Sequence, residues 1–471
     1  MWRRILLFLV VGATGVAVTC NIAAAQDAVR EKPVPSKEAP PPELQDSLAL
    51  SLPALGEFKR GLLDLDLNFQ LNYTSEVFGN PSGGVRQRAI YDNLLELAVD
   101  GDLNTIAGLN GASFHINSYT VNGTGLSKCC IFNVLTVSNI EALPSTWLFE
   151  AWFEQKLFGD SVSVRIGQLA ADREFAVSEY SQVYRNATFG WPNIFAADMP
   201  STGPNYPLAT PGVRLKVSPN KEINLLAALF NGDPAGAGFT GLQEILDPSG
   251  INFRLRDPPL LMAEAQYAYN QEKNSPGPPG SINVGGWYHF GKFNDQRRGT
   301  DGLSLSNTLS NDIPITYRGD YGIYGMIDQM IWTVPGDDPK RGVAGFVFFS
   351  TSPSDRNVAN VYAELGITCI GIWNNRPNDT FGLAAVYSPV SPSVSGLDAD
   401  TAFFEKTHLP IRDHELAVEL TYQAKIMPGF YIQPDFQYIF HPGYGVVDPV
   451  NPAVGRIHDA AVFGLRTLVK F

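Results

Sequence analysis

The sequence predicts an all-β fold, a transmembrane antiparallel β-barrel of the outer-membrane porin type with about 16 strands. Three observations carry this: an export-signal pattern at the N-terminus, repeated segments in which apolar and polar residues alternate, and a final segment that stops on an aromatic residue, Phe471.

Arg3 and Arg4 form a positive n-region, Ile5 to Val18 an apolar core, and Ala23-Ala24-Ala25 an A-x-A cleavage site. Residues 1–25 are therefore expected to be a cleaved signal peptide. The apolar stretch is too short for a comfortable membrane anchor. Cys20 raises a lipoprotein alternative, but Thr19 before it fits a lipobox poorly. No later stretch approaches the ~18 consecutive apolar residues of a membrane helix. The longest run, Val343 to Phe349, is strand-sized. An exported chain without a second apolar helix is periplasmic, secreted or in the outer membrane.

The C-terminal segment separates these addresses. Ala461, Phe463, Leu465, Thr467, Val469 and Phe471 share one parity, and Ala460, Gly464, Arg466 and Lys470 the other, with Val462 and Leu468 among them. A strand sends alternate side chains to opposite faces. A soluble β-sandwich strand also alternates, but one ending on a terminal Phe in an exported chain favours a barrel in the bacterial outer membrane, against lipid and lipopolysaccharide.

Composition agrees. Apolar residues make up 44% of the chain and aromatics 11%, with 44 Gly and 34 Pro for turns. That balance suits strands apolar outside and polar inside, with aromatic girdles at both interfaces. Loss of Arg3 and Arg4 with the signal takes the net charge from −13 to −15. Such a chain is a poor nucleic-acid binder and a poor anion pore, which would want rings of Arg or Lys. Cys129 and Cys130 are adjacent, and Cys369 sits in another segment. A disulfide framework is not indicated. The six His show no metal-ligand spacing, and neither a metal nor a cofactor is expected.

Residues 26–58, with Pro33, Pro35, Pro40, Pro41 and Pro42 among charges, read as an extended periplasmic lead, and 59–471 as the barrel domain. From Gly61, Leu63, Leu65, Leu67, Phe69, Leu71 and Tyr73 oppose Asp64, Asp66, Asn68, Gln70 and Asn72. A helix would put leucines on every side; only a strand separates the sets. Five polar residues on one face are costly in a dry core but not against water. The pattern recurs: Leu95, Leu97 and Val99 oppose Asp92, Glu96 and Asp100, and Trp147, Phe149, Ala151, Phe153 and Leu157 oppose Glu150, Trp152, Glu154 and Lys156. Val213, Leu215 and Val217 oppose Arg214 and Lys216, and Leu416, Val418, Leu420 and Tyr422 oppose Glu415, Glu419 and Gln423. Short turns such as Phe158–Ser161 alternate with long stretches, 170–211 and 231–259, as short periplasmic turns alternate with long outer loops. A barrel of this size leaves an aqueous channel.

Several segments resemble the carbohydrate-selective porins of the OprB type: residues 148–170, 206–217, 281–293, 352–367, 375–388 and 433–443, in the family's order. The likeness covers most of the chain beyond Leu95. It implies a sixteen-stranded barrel, an outer-membrane address and selective uptake of small neutral sugars. The Cys129-Cys130 pair, the short Pro-rich lead and the loop 231–259 depart from the family's pattern.

A sugar needs polar partners at its edges and a flat apolar surface for its C–H face, held weakly enough for release. By parity Trp152 faces the lumen between Glu150 and Glu154, as a stacking platform or as packing under an inward-folded loop. Arg165, across the hairpin, is placed to meet one of those carboxylates, at a solute site or in a wall salt bridge. Trp287 and His289 share lumen parity, since Ile282, Val284, Tyr288 and Phe290 point outward. Arg214, Glu415 and Glu419 line the wall. Gly286 to Lys292 fits the start of a phosphate loop, but Phe293 stands where Ser or Thr is required, and no helix pattern follows.

The expected function is passive diffusion of glucose-like sugars. The alternative is a general or cation-preferring diffusion porin, favoured by the acidic balance. A barrel enzyme is disfavoured by the absence of G-x-S-x-G. An energy-coupled transporter needs a larger barrel and a plug. The sequence leaves monomer or homotrimer open.

Overall fold

In lipid every backbone N–H and C=O needs a partner within the protein, so an alternating strand is stable only with neighbours on both sides. The chain meets this demand by closure. A computed structural model describes residues 46–237, 243–272, 275–336 and 338–471. The expected signal peptide, residues 1–25, and most of the expected lead, 26–58, lie outside the described residues.

The strands are β1 (Leu67–Ser82), β2 (Ala89–Asp102), β3 (Ala112–Asn122), β4 (Ser145–Leu157), β5 (Val162–Leu169), β6 (Thr210–Val217), β7 (Ile223–Asn231) and β8 (Pro259–Tyr269). There follow β9 (Gly280–Gly299), β10 (Pro314–Thr333), β11 (Gly342–Thr351), β12 (Val361–Ile370), β13 (Thr380–Pro389), β14 (His414–Met427), β15 (Phe430–Phe440) and β16 (Ala460–Lys470). Each pairs antiparallel with its sequence neighbours, and β16 returns to β1 from Asn72↔Lys470 to Ser82↔Ala461. The result is a closed sixteen-stranded barrel. No helix among the described residues is long and apolar enough to cross a membrane.

The alternation becomes the wall. Val77, Leu97, Val347, Leu365, Phe463 and Leu465 are exposed on the outer face, while Glu76, Asp92, Glu264, Glu419 and Arg466 are buried on the inner one. Two stretches depart from the sequence expectation. The helix Pro53–Leu63 occupies part of the region read as strand, and β1 begins only at Leu67. Pro53 at the first helical position favours that helix, and Asp66 in the left-handed region (φ 53°) turns the chain into the strand.

The second departure is in β4. Ile116 pairs with Ala151, but Ser118 pairs with Leu148, so β4 carries an extra residue opposite β3. Such a bulge shifts the side-chain phase. Ala151, Phe153 and Leu157 keep the outward parity, whereas Trp147 and Phe149 turn inward and are both 0% exposed.

Short turns close one end of the barrel. Pro428-Gly429 joins β14 to β15 with Gly429 at φ 73°, and a Cβ there would collide with the Leu48 backbone. The connections at the other end are long, notably 123–144, 170–209, 232–258 and 390–413. Segments 123–144 and 170–209 fold into the barrel and bond to each other, Asn139 N–H to Arg185 C=O at 2.9 Å and Ala187 N–H to Thr136 C=O at 2.8 Å. The apolar core therefore lies inside the barrel, between these loops and the wall, with Phe195 against Trp287, Tyr324 and Phe348. Cys129 and Cys130 are joined to each other by a disulfide, which is not the framework of bridges that the sequence argued against. It closes within one helical turn, Ser127–Ile131, and ties no separate segments together.

Candidate solute constriction

The inward loops bring buried backbone N–H groups that need acceptors, and the acidic residues of the wall supply them. Glu150 accepts from Ala170 N–H (3.0 Å), Glu264 from Ala176 (2.7 Å), and Asp328 from Glu179 (2.7 Å) and the Ser178 hydroxyl (2.6 Å). Glu419 accepts from Arg185 and Asn186, and Glu415 from Val134, Leu135 and Gly443. At 1% and 0% exposure these last two carboxylates face inward, as their parity predicts, but as loop anchors sealed from the channel.

Arg165 meets Glu154 at 2.8 Å, the pairing predicted across the hairpin. The structure enlarges it into a network. Arg214, 1% exposed, bonds Glu154 at 3.2 Å and Glu174 of the inward loop at 2.8 Å, and Ser163 joins Glu154 and Arg214. Two guanidiniums and two carboxylates thus fasten the loop to β4, β5 and β6.

Trp152 is flanked by His115 of β3 (ring centroids 5.2 Å apart, stacked) and by the Arg165 guanidinium, 3.7 Å from its ring centre. Its faces are taken by protein groups, which favours packing over a sugar platform. Trp287 is 4% exposed beneath Phe195, at 5.0 Å, so it too packs under the loop. His289 contacts Gly232 C=O at 2.9 Å through Nε2 and accepts Gly291 N–H at 3.0 Å through Nδ1. These contacts tie it to the start of loop 232–258 and away from the lumen.

Of the predicted residues, then, the structure joins Glu154, Arg165 and Arg214 in one network, places Glu150 and Trp152 beside it, and sets Trp287, His289, Glu415 and Glu419 under loops. The water-accessible space lies elsewhere. One cavity of about 480 Å³ runs between the two inward loops and the β1, β2 and β16 wall, lined by Arg173, Arg185, Arg466, Gln182, Asn139, Glu141, Trp191 and Tyr206 among others. A second of about 430 Å³, near the short-turn end, is bounded by Lys216, Asn224, Gln266, Asn283 and again Arg173. Arg173 stands where they adjoin, its side chain 44% exposed and 3.8 Å from Glu150. Arg466 is held by Glu76 at 2.6 Å and donates to Asn139 at 2.8 Å. Burial, with the charges of Asp92 and Glu76 adding, raises the Glu141 carboxyl to about 8.

Residues 86–471 match the sequence pattern of the carbohydrate-selective porin, OprB family. The chain belongs to this family. Porin B of Pseudomonas aeruginosa is 24% identical over 422 residues, 85% of this chain and 88% of that one. The high-pH structure of Pseudomonas putida OprB superposes with a TM-score of 0.77 at 22% identity, over 88% of this chain and 97% of that one. Its low-pH structure gives 0.52 at 16% identity, over 90% and 99%. These likenesses place the chain among outer-membrane β-barrel porins, channels in fold and family.

Sequence reasoning missed the loop residues of this OprB-family channel, Arg173, Arg185, Glu141 and Tyr206. A loop carries no parity to say which way its side chains point. Arg466 and Lys216 were legible, as cations on the polar faces of their strands.

Proposed function

We propose that this porin passes small neutral sugars of monosaccharide size by passive diffusion, selecting them between the inward loops 123–144 and 170–209. The supporting observation is the lining of that passage. Guanidinium and amide donors (Arg173, Arg185, Arg466, Asn139, Gln182) share it with Tyr206 and Trp191, in a cavity of about 480 Å³. That volume falls within the ~300–1,000 Å³ of small-molecule sites, and donors beside rings suit hydroxyls and C–H faces. The lining also argues against a simple cation pore. Five wall carboxylates, Glu150, Glu264, Asp328, Glu415 and Glu419, are committed to loop N–H groups, and Glu154 to Arg165 and Arg214.

On the same reading residues 1–25 are a removed export signal, 26–58 a periplasmic lead and 59–471 the pore domain. Lipid and lipopolysaccharide then contact the apolar outer face. The test is swelling of vesicles containing the purified protein. Glucose-sized sugars are expected to enter faster than charged solutes of equal mass. Equal rates, or faster entry of cations, remove the sugar preference.

A further inference from the structure

The spacing of the six histidines predicts no metal site, because His414 and His441 lie far apart in sequence. The β14–β15 hairpin brings them together. Leu416 pairs with Phe440, so the first residue of β14 and the residue just past β15 meet at the long-loop rim. Their rings lie 4.6 Å apart between centroids. Asp413 completes the group: its Oδ1 is 2.9 Å from His441 Nδ1 and 3.5 Å from His414 Nδ1.

We propose that Asp413, His414 and His441 form a binding site for one divalent transition-metal ion, with Zn²⁺ as the type case. The argument is first one of spacing. Zn²⁺ takes imidazole nitrogen and carboxylate oxygen at about 2.0–2.2 Å in a tetrahedron, which sets its ligand atoms about 3.4 Å apart. The two edges at Asp413 straddle that value, and all three ligand atoms lie within 4.8 Å of one another. Three protein ligands leave the fourth position to water, the open form of such a site. Two neutral imidazoles and one carboxylate favour zinc-like ions over Ca²⁺ or Mg²⁺, which want oxygen ligands throughout.

The surroundings hold the donors in place. Arg456 Nη1 donates to Asp413 Oδ2 at 2.7 Å, and the His414 backbone N–H donates to Oδ1 at 2.6 Å, which holds Oδ1 beside both imidazoles with a lone pair still to offer. Partners of this kind orient a ligating carboxylate, although the guanidinium charge opposes a cation and moderates its affinity. His441 sits in the left-handed region (φ 49°) with its N–H bound to Asp459 Oδ1 at 2.9 Å. His414 packs on Tyr387, 5.4 Å between centroids, so its ring is braced against the outer aromatic face. The side chains of the three residues are only about one-third exposed, sheltered yet open to an ion from outside. A bound ion would tie the end of connection 390–413 to the start of 441–459 at the extracellular rim.

The experiment uses the full chain without a histidine tag, in detergent and stripped with chelator, titrated with Zn²⁺ and separately with Co²⁺. The wild type is expected to take up one Zn²⁺ saturably, to gain thermal stability with it, and to show visible absorption bands of nitrogen-ligated Co²⁺. His414→Gln and His441→Gln are each expected to weaken uptake by more than about tenfold and to abolish the stability gain. The exposed His408→Gln should behave as wild type. Vesicle swelling and heat-modifiable gel mobility show that each variant is folded. If the wild type takes up no ion saturably, or uptake survives both site variants, or Co²⁺ stays in its hydrated spectrum, the proposal falls.

Discussion

The carboxylate of Glu419 accepts the backbone N–H of Asn186 at 2.8 Å, with the N–H of Arg185 on its other oxygen. A wall residue of β14 thus fixes the loop that narrows the pore. Leaving a buried donor unsatisfied costs about 1–3 kcal/mol. Glu419→Ala is therefore expected to free the 183–189 stretch, raising single-channel conductance and hydrogen exchange there while the barrel stays folded. If conductance and exchange match the wild type, the anchoring role is lost.

That relationship also marks the boundary of what the sequence shows. Wall parity was legible because every strand meets the same two media: Leu71 and Asn72 declare lipid and lumen without reference to the rest of the chain. Trp147 and Phe149 were misplaced because one extra residue in β4 reverses the phase, and nothing in the local sequence announces a bulge. The use of Glu419 was hidden for another reason. Its partners lie more than two hundred residues away on a loop without periodicity, so parity shows that it faces inward but not what covers it.

Arg173 is the half-exposed cation where the two cavities adjoin. Arg173→Ala is expected to weaken sugar block of single-channel current by about tenfold, the scale of a hydrogen bond to a charged group, and to shift ion selectivity toward cations. Arg173→Lys restores the selectivity, because the charge returns, but only part of the block, because the planar fork does not. Alanine and wild type blocking alike would move sugar contact elsewhere.

Glu141 gives the channel a pH dependence whose sign follows from its surroundings. Burial first, then the nearby Asp92 and Glu76 charges, raise its carboxyl from 4.5 to about 8. It is neutral at pH 7 and acquires a negative charge as pH rises past 8. Cation permeability relative to anions is expected to increase between pH 7 and pH 9, and Glu141→Gln to flatten that rise. Because the folded value is raised, the associated stability is complete below the unfolded carboxyl range and declines as pH climbs toward 8. Reversal potentials across a salt gradient check the first effect, and thermal melts across the same pH range the second.

Trp152 decides between two roles for an inward aromatic ring. A platform for sugar needs a free face, and here His115 lies on the β3 side and Arg165 on the β5 side. Trp152→Ala is therefore expected to leave sugar block within about twofold of wild type. Its cost should appear as stability, about 2–3 kcal/mol, below the full range for a buried Trp because the ring is only partly covered. Loss of the ring also removes the surface against which Arg165 stacks, so the Glu154–Arg165 pair should loosen and Glu174 should lose one of its two partners. Denaturant melts alongside current block separate the outcomes. A large drop in block with unchanged stability would return Trp152 to the solute path.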